Sequence, residues 1–268
     1  MKLRKKDRQQ KVLSEFRSVP TVRLGDLATQ FGVTKETIRR DIDELSATGL
    51  LSRTYGGAVA TYMNYEPSLV QRSRLNPDGR RRMAEVAYDL VKDDKVLMVD
   101  TGATVAHFCQ RLAESVGPDS ELQVTVVTNS LKNAQILADN GSIRTIVCPG
   151  DYDDGEAATF GPLTAEFVGR FNADVMVASA GSMDSETIMD VNSNAAAVKR
   201  TMMKKSLRKI FVIEGRKYGL PQFEAICPLA EIDDLVTDVD LPGDLSARLT
   251  KIGVSVHVPD DEADAAID

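Results

Sequence analysis

The chain has 268 residues, 43% of them hydrophobic and 27% charged, with a formal net charge of −7, which suits one domain of about 60 residues and one of about 180. No run of about 18 apolar residues occurs, and the basic start MKLRKKDRQQKV lacks the apolar stretch of a signal peptide, so a cytoplasmic protein with no membrane partner is expected. Cys109, Cys148 and Cys227 form no C-x-x-C pair, only His107 and His257 occur, and no cluster has zinc spacing, so small buried thiols, no metal and no cofactor are expected.

In chain order, Lys5 to Phe16 reads as a first helix with Val12, Leu13 and Phe16 facing inward. In TVRLGDLATQFGVTKETIRR, Thr21 to Arg40, the residues Leu24, Leu27, Ala28 and Phe31 fall on one face of a short helix. Gly32 supplies a tight turn, and Thr34 suits the N-cap of a second helix with Ile38, Ile42 and Leu45 on one side. Turned away from that side are Glu36, Thr37 and Arg40, with Arg39 at the flank and Lys35 in the first turn. Side chains so placed can reach base edges and phosphates in a major groove. Asp43 and Glu44 would repel phosphates, which leaves the reading to the N-terminal half of that helix.

Next, in GLLSRTYGGAV, Leu50 and Leu51 can close the small core, and Arg53 to Gly57 reads as a strand and glycine turn, a wing laid against DNA backbone. A plain helical hairpin with solvated arginines is the competing reading. Charge favours DNA: up to Gly57 there are 12 Lys and Arg against 7 Asp and Glu, and beyond it 21 against 33. A basic small domain tied to an acidic large one suits a polyanion at the N-terminus only.

VTKETIRRDI, Val33 to Ile42, followed by YGGAV, is very similar to the DNA-binding signature of the DeoR family of bacterial transcription regulators. Thr34, Thr37, Ile38, Arg39, Arg40, Asp41 and Ile42 stand at its positions in turn. The resemblance implies a repressor, less often an activator, that binds operator DNA and answers to a phosphorylated sugar. Two recognition helices reading two half-sites would require a homodimer or homotetramer.

Ala60 to Asp78, polar and aromatic, reads as a linker whose Tyr62, Tyr65 and Leu69 could pack on a neighbouring subunit. Beyond it, Arg81 to Val91 reads as helix, and short apolar strands are expected at Val96 to Val99, Val124 to Thr128, Thr145 to Cys148, Val175 to Ala178, Ile210 to Ile213, Leu235 to Thr237 and Val254 to Val258. Helices are expected at Val105 to Ser115, Leu131 to Asp139, Leu163 to Phe171, Ala195 to Ser206 and Leu245 to Ile252. The alternation argues a mainly α/β chain: a winged helix-turn-helix domain (1–58), a linker (59–78), an α/β domain with a mostly parallel sheet (79–258) and an acidic, frayed tail (259–268).

Ligands of open α/β sheets bind beyond the carboxyl ends of the strands. Asp100, Thr101, Gly102, Ala103 and Thr104 occupy one such end before a helix, where backbone N–H groups can cradle a phosphate or merely form a turn and cap. Asn129 stands at another. Lys199 and Lys217 offer charge, and Asp100 and Glu214 offer acceptors, for a phosphorylated sugar or polyol, although either lysine could be a solvated surface charge.

The family resemblance extends here through DTGAT, VVTNS, VKRTM and EIDDLVTD, over roughly residues 3 to 238, and implies a fold like ribose-5-phosphate isomerase with the effector near Asp100 to Thr104, Lys199 and Lys217. This chain departs from the family pattern with Gly181 and Ser182 in SAGSMD, with Ala195, Ala196 and Ala197 ahead of Lys199, and with Glu214, Gly215 and Arg216 before Lys217, which removes expected acceptors. Arg216 offers a second phosphate cation or faces solvent. Two rival readings are a phosphosugar isomerase with a DNA-binding extension and a regulator whose large domain only oligomerises. The alanines argue against the isomerase, whose chemistry needs a positioned base.

Overall fold

The computed structural model describes residues 4–5, 8–9, 11–12, 21–47, 51–54, 57–60, 68–117, 124–138 and 140–260. The expectations for Leu13, Phe16, Leu50, Tyr55, Gly56, Tyr62, Tyr65 and the acidic tail from residue 261 lie outside these residues.

Strand β1 (Thr21–Arg23) leads into helix α1 (Leu24–Phe31), and α2 (Lys35–Ala47) follows after one turn. Gly32 makes that turn at φ 63°, a conformation that disfavours any residue with a Cβ. Val12, Leu27, Ala28, Ile38, Ile42 and Leu45 form the small core expected of the apolar spacing. β2 (Leu51–Thr54) and β3 (Gly57–Ala60) are the antiparallel wing. β1 pairs with β3 as a third strand that was not anticipated.

The linker reading is corrected over residues 68–78. Leu69–Ser73 is a helix, α3, and Pro77 opens α4 (Pro77–Val91), where its fixed φ suits the first helical position. Leu69 is buried in its own chain, and its N–H donates to the Gly155 carbonyl at 2.7 Å. This segment has both apolar contact and backbone hydrogen bonds, which a free linker lacks.

The large domain is a seven-stranded parallel sheet formed by β4 (Val96–Val99), β5 (Val124–Thr128), β6 (Ile143–Val147), β9 (Ala173–Ala178), β12 (Ser206–Val212), β14 (Asp234–Val236) and β15 (Ser255–His257). Their order is β15-β14-β12-β9-β4-β5-β6. The helices between them are α5 (Ala103–Ser115), α6 (Leu131–Ala138), α7 (Pro162–Val168), α8 (Ser193–Lys205) and α9 (Gly243–Lys251). Along β4, Leu97 and Val99 enter one core with Met83, Ala87, Phe108 and Leu112, and Met98 enters the other with Met176, Met202 and Phe211. Both faces are buried, which is why the strands read as continuous apolar runs.

Two antiparallel additions were not anticipated: a hairpin of β7 (Asp151–Asp153) and β8 (Ala158–Phe160), and a small sheet of β10 (Ser182–Met183), β11 (Thr187–Asp190) and β13 (Glu224–Pro228). The helix expected to run to Ser206 stops at Lys205, because Ser206 already pairs with Ala173. Among the described residues, no helix is long and apolar enough to cross a membrane, no group of three metal-ligating side chains occurs, and all three cysteines are buried and free.

Candidate nucleic-acid interface and ligand cavity

α2 is started by Thr34, whose Oγ1 accepts from the Thr37 N–H at 3.2 Å and shares a 2.9 Å hydrogen bond with Thr37 Oγ1. Ile38 and Ile42 point into the core, so Lys35, Glu36, Arg39 and Arg40 are left exposed and Thr37 half-buried. Arg40 is 79% exposed; Glu36 lies 3.4 Å from Arg39 and 4.0 Å from Arg40, holding both guanidinia along the helix. Asp41 is not part of this surface. It is buried and accepts from Arg8 Nε at 2.6 Å and Nη2 at 3.1 Å, tying α2 to the residues before it. Glu44 is likewise engaged, by Lys5 at 2.6 Å and Gln9 at 2.7 Å. The acids of α2 beyond its first turn are thus partly neutralised by the N-terminal basic residues. Arg53 lies on β2, in the wing hairpin.

In the sheet, strand order runs outward from β4 in both directions, so β4 and β9 flank the topological switch point where a crevice must open. A cavity of about 460 Å³ lies there. Thr101 and Gly102 after β4, Ser179 and Ala180 after β9, Asp190 at the end of β11, Asn192 before α8 and Ser193 at its start line one side with Lys199. Ser68 and Arg72 of the α3 segment, with Asp153, Gly155 and Glu156 of the β7–β8 hairpin, line the other, and Phe223 also borders it, largely exposed.

Lys199 Nζ is 2.9 Å from Asp100 Oδ2 and 2.9 Å from Asp190 Oδ2, with its side chain 4% exposed. Burial works against its charge, but the two carboxylates outweigh burial and hold the ammonium above its ordinary range. Asp100 is placed by its N–H, which donates to the Val177 carbonyl, and by its carbonyl, which accepts from Asn133 Nδ2 at 2.8 Å. α5 begins at Gly102, at φ 135°, with no side-chain cap. Its first-turn N–H groups therefore form an anion-compatible terminus beside Thr101.

Of the expected effector residues, the structure brings Asp100, Thr101, Gly102 and Lys199 together. Ala103 and Thr104 are buried in the first turn of α5, and Asn129 is buried with its Nδ2 on the Thr159 carbonyl. Neither group lines the cavity. Two assignments are corrected. Glu214 is buried against Arg80 at 2.8 Å and Arg216 at 2.9 Å, and also accepts from Asn76 Nδ2. Burial would raise its carboxyl, yet the hydrogen bond and charge of Arg216, then Arg80, hold it at about 2. Lys217 is turned inward, where its ammonium donates to the Ala180 carbonyl. Arg216 is spent on Glu214.

The acceptors thought lost are replaced: Asp153, Glu156 and Asp190 all border the cavity. Gly181 has a packing role, since an added Cβ would stand 3.3 Å from Asp190 Cα. Sequence reasoning missed Asp190, Arg72 and Glu156. For Asp190, the polar run Asp190-Val191-Asn192-Ser193 just before a helix was the available signal, the same that singled out Asp100.

The family model of the DeoR C terminal sensor domain matches residues 75–239, and that of the DeoR-like helix-turn-helix domain matches residues 8–62. The chain is 29% identical over 241 residues to the HTH-type transcriptional repressor CsqR of Escherichia coli, covering 90% of each chain. It is 32% identical over 222 residues to the L-fucose operon activator of Haemophilus influenzae, covering 82% of this chain and 86% of that one. Among solved structures, ribose 5-phosphate isomerase A of Methanocaldococcus jannaschii is similar over 53% of this chain and 55% of that one, with 16% identity and a TM-score of 0.40.

Proposed function

The chain belongs to the DeoR family of DNA-binding transcription regulators, and from that premise we propose that it represses a carbohydrate-use operon and leaves its operator when a phosphorylated sugar or polyol fills the cavity at the end of β4 and β9. The observation that carries the reading is Lys199, buried between Asp100 and Asp190 beside the uncapped start of α5. A phosphate finds backbone N–H groups and a fixed cation there, and polyol hydroxyls find carboxylate acceptors. A relative that is the activator of the L-fucose operon supports the carbohydrate part of the reading.

The mechanism needs two conformations of different operator affinity and an effector that prefers the weaker binder. In this reading the large domain binds without turnover, the protein acts in the cytoplasm, and it assembles as a homodimer or homotetramer so that two α2 helices read two half-sites about one helical turn apart. Thr34, Lys35, Glu36, Thr37, Arg39, Arg40 and Arg53 are assigned to DNA. The test is thermal unfolding against phosphorylated sugars and polyols, followed by operator release with each hit. A ligand at 100 times its Kd adds roughly 2.7 kcal/mol, a shift of several degrees. No shift with any compound would count against an effector and favour a purely oligomerising large domain.

A further inference from the structure

Helix α3 lies in the stretch between residue 62, where the helix-turn-helix match ends, and residue 75, where the sensor match begins. The connector between the two regions nevertheless contributes Ser68 and Arg72 to the cavity wall. Arg72 Nη2 stands 2.5 Å from the Glu156 carboxylate, with the two side chains 8% and 20% exposed. Glu156 sits at the turn of the β7–β8 hairpin and faces the same cavity. Its carbonyl accepts from Thr101 Oγ1 at 3.0 Å, so the pair adjoins the turn that opens α5. On the other side the Arg72 carbonyl accepts from Arg80 Nη1, and Arg80 is locked to Glu214. The connector's main chain is thus fixed to the large domain, while its guanidinium reaches into the cavity.

A guanidinium that holds a carboxylate makes the contacts that it would make to phosphate oxygens, because its planar donors match both anions. We propose that Arg72 is an anion-binding residue of this cavity, that Glu156 occupies it in the empty protein, and that an entering phosphate takes the place of Glu156, so that the segment leading to the DNA-binding domain reads occupancy directly. The proposal rests on the reading that the cavity takes a phosphorylated ligand. Lys199 stands between two carboxylates deep in the same cavity, whereas the Arg72 contact to Glu156 lies at its wall, on the connector itself.

The test uses the full-length protein and inorganic phosphate, with affinity read by calorimetry and amide exchange read over residues 68–73. Glu156→Gln removes the resident competitor and is expected to tighten phosphate binding by about tenfold, and Arg72→Gln to weaken it by at least about tenfold, on the scale of one charge-assisted contact. Phosphate is expected to change exchange over residues 68–73 in the unaltered protein. If Arg72→Gln binds phosphate as the unaltered protein does while Lys199→Gln loses it, the proposal is overturned and the cavity stands as an anion site. Absence of phosphate binding in both the unaltered protein and Glu156→Gln overturns the proposal together with the anionic reading. Should Arg72→Gln fold poorly, Glu156→Gln decides alone: unchanged or weaker phosphate binding overturns the exchange.

Discussion

Lys199 Nζ lies 2.9 Å from Asp190 Oδ2, and this contact joins the small antiparallel sheet to α8, which the same ammonium ties to the end of β4 through Asp100. Removing the cation would leave two largely buried carboxylates facing each other. Lys199→Met is therefore expected to cost about 3–5 kcal/mol, a fall in Tm on the order of 10 °C for a domain of this size. Adding Asp100→Asn to it is expected to recover part of the loss, because one uncompensated charge goes. Calorimetric melts of the three proteins check this, and an unchanged Tm in Lys199→Met would show that the cation is not what holds these elements together.

Asp41 belongs to the family signature, yet its carboxylate is buried against Arg8 and is not offered to DNA. Its variants should act through stability. Asp41→Ala is expected to lower the unfolding free energy of the small domain by about 3 kcal/mol, and Arg8→Ala to do nearly the same. Both should lose operator and random DNA together. Loss of operator preference with an unshifted melt would instead place Asp41 at the base edges.

Arg40 is the most exposed arginine of α2 and in the proposed reading meets base edges, whereas Arg53 lies on the wing. Arg40→Ala is expected to cost about 1–3 kcal/mol on operator DNA and to relax sequence preference. Arg53→Ala should weaken all DNA evenly and reduce the slope of log K against log salt by about 1. Fluorescence anisotropy on operator and scrambled duplexes over a salt series separates the two. Equal losses on both duplexes for both variants would sink the division of roles.

Why the recognition helix and the parallel sheet were legible, and much of the cavity was not, is a matter of range. Thr34 caps its helix through the N–H three residues on, and Val96 to Val99 is apolar because both its faces are buried; such signals are local. The carboxylate against Arg72 is 84 positions distant and that against Arg80 is 134, so neither arginine could be told from a solvated charge. Glu214 and Lys217 have the composition of a ligand site, and only the arrival of Arg80 and of the Ala180 carbonyl diverts them into structure. The β7–β8 hairpin, acidic and rich in turn residues, gave no alternation to read.

The Glu214 carboxyl, held at about 2 against an ordinary value of 4.5, makes a pH prediction with a definite sign. A depressed folded-state pKa gives stability that is present above the unfolded value and lost as pH falls from about 4.5 towards about 2. The contribution near neutrality is about 3 kcal/mol. Glu214→Gln should therefore be less stable than the unaltered protein at neutral pH, with the gap closing across that acid window. Urea melts at stepped pH check it; a gap that stays constant as pH falls to about 2 would mean that the Arg80 and Arg216 contacts do not depend on the Glu214 charge.

The last prediction concerns the link between cavity and operator. Lys199 and Arg40 belong to different matched regions, so an effector-site variant should leave DNA affinity intact while changing its response. With any sugar phosphate that shifts the melt, Lys199→Gln, assayed well below its own lowered Tm, is expected to bind operator within about twofold of the unaltered protein and to lose release by that compound. Because coupling is reciprocal, operator DNA must weaken effector binding by the same factor by which effector weakens operator binding, typically 5–150-fold. Titrating the effector in the presence and absence of saturating operator measures one side of that equality, and titrating operator with and without effector measures the other. Release that survives in Lys199→Gln would mean that the Lys199 ammonium does not hold the effector, and unequal factors would mean that release is not an equilibrium between two conformations.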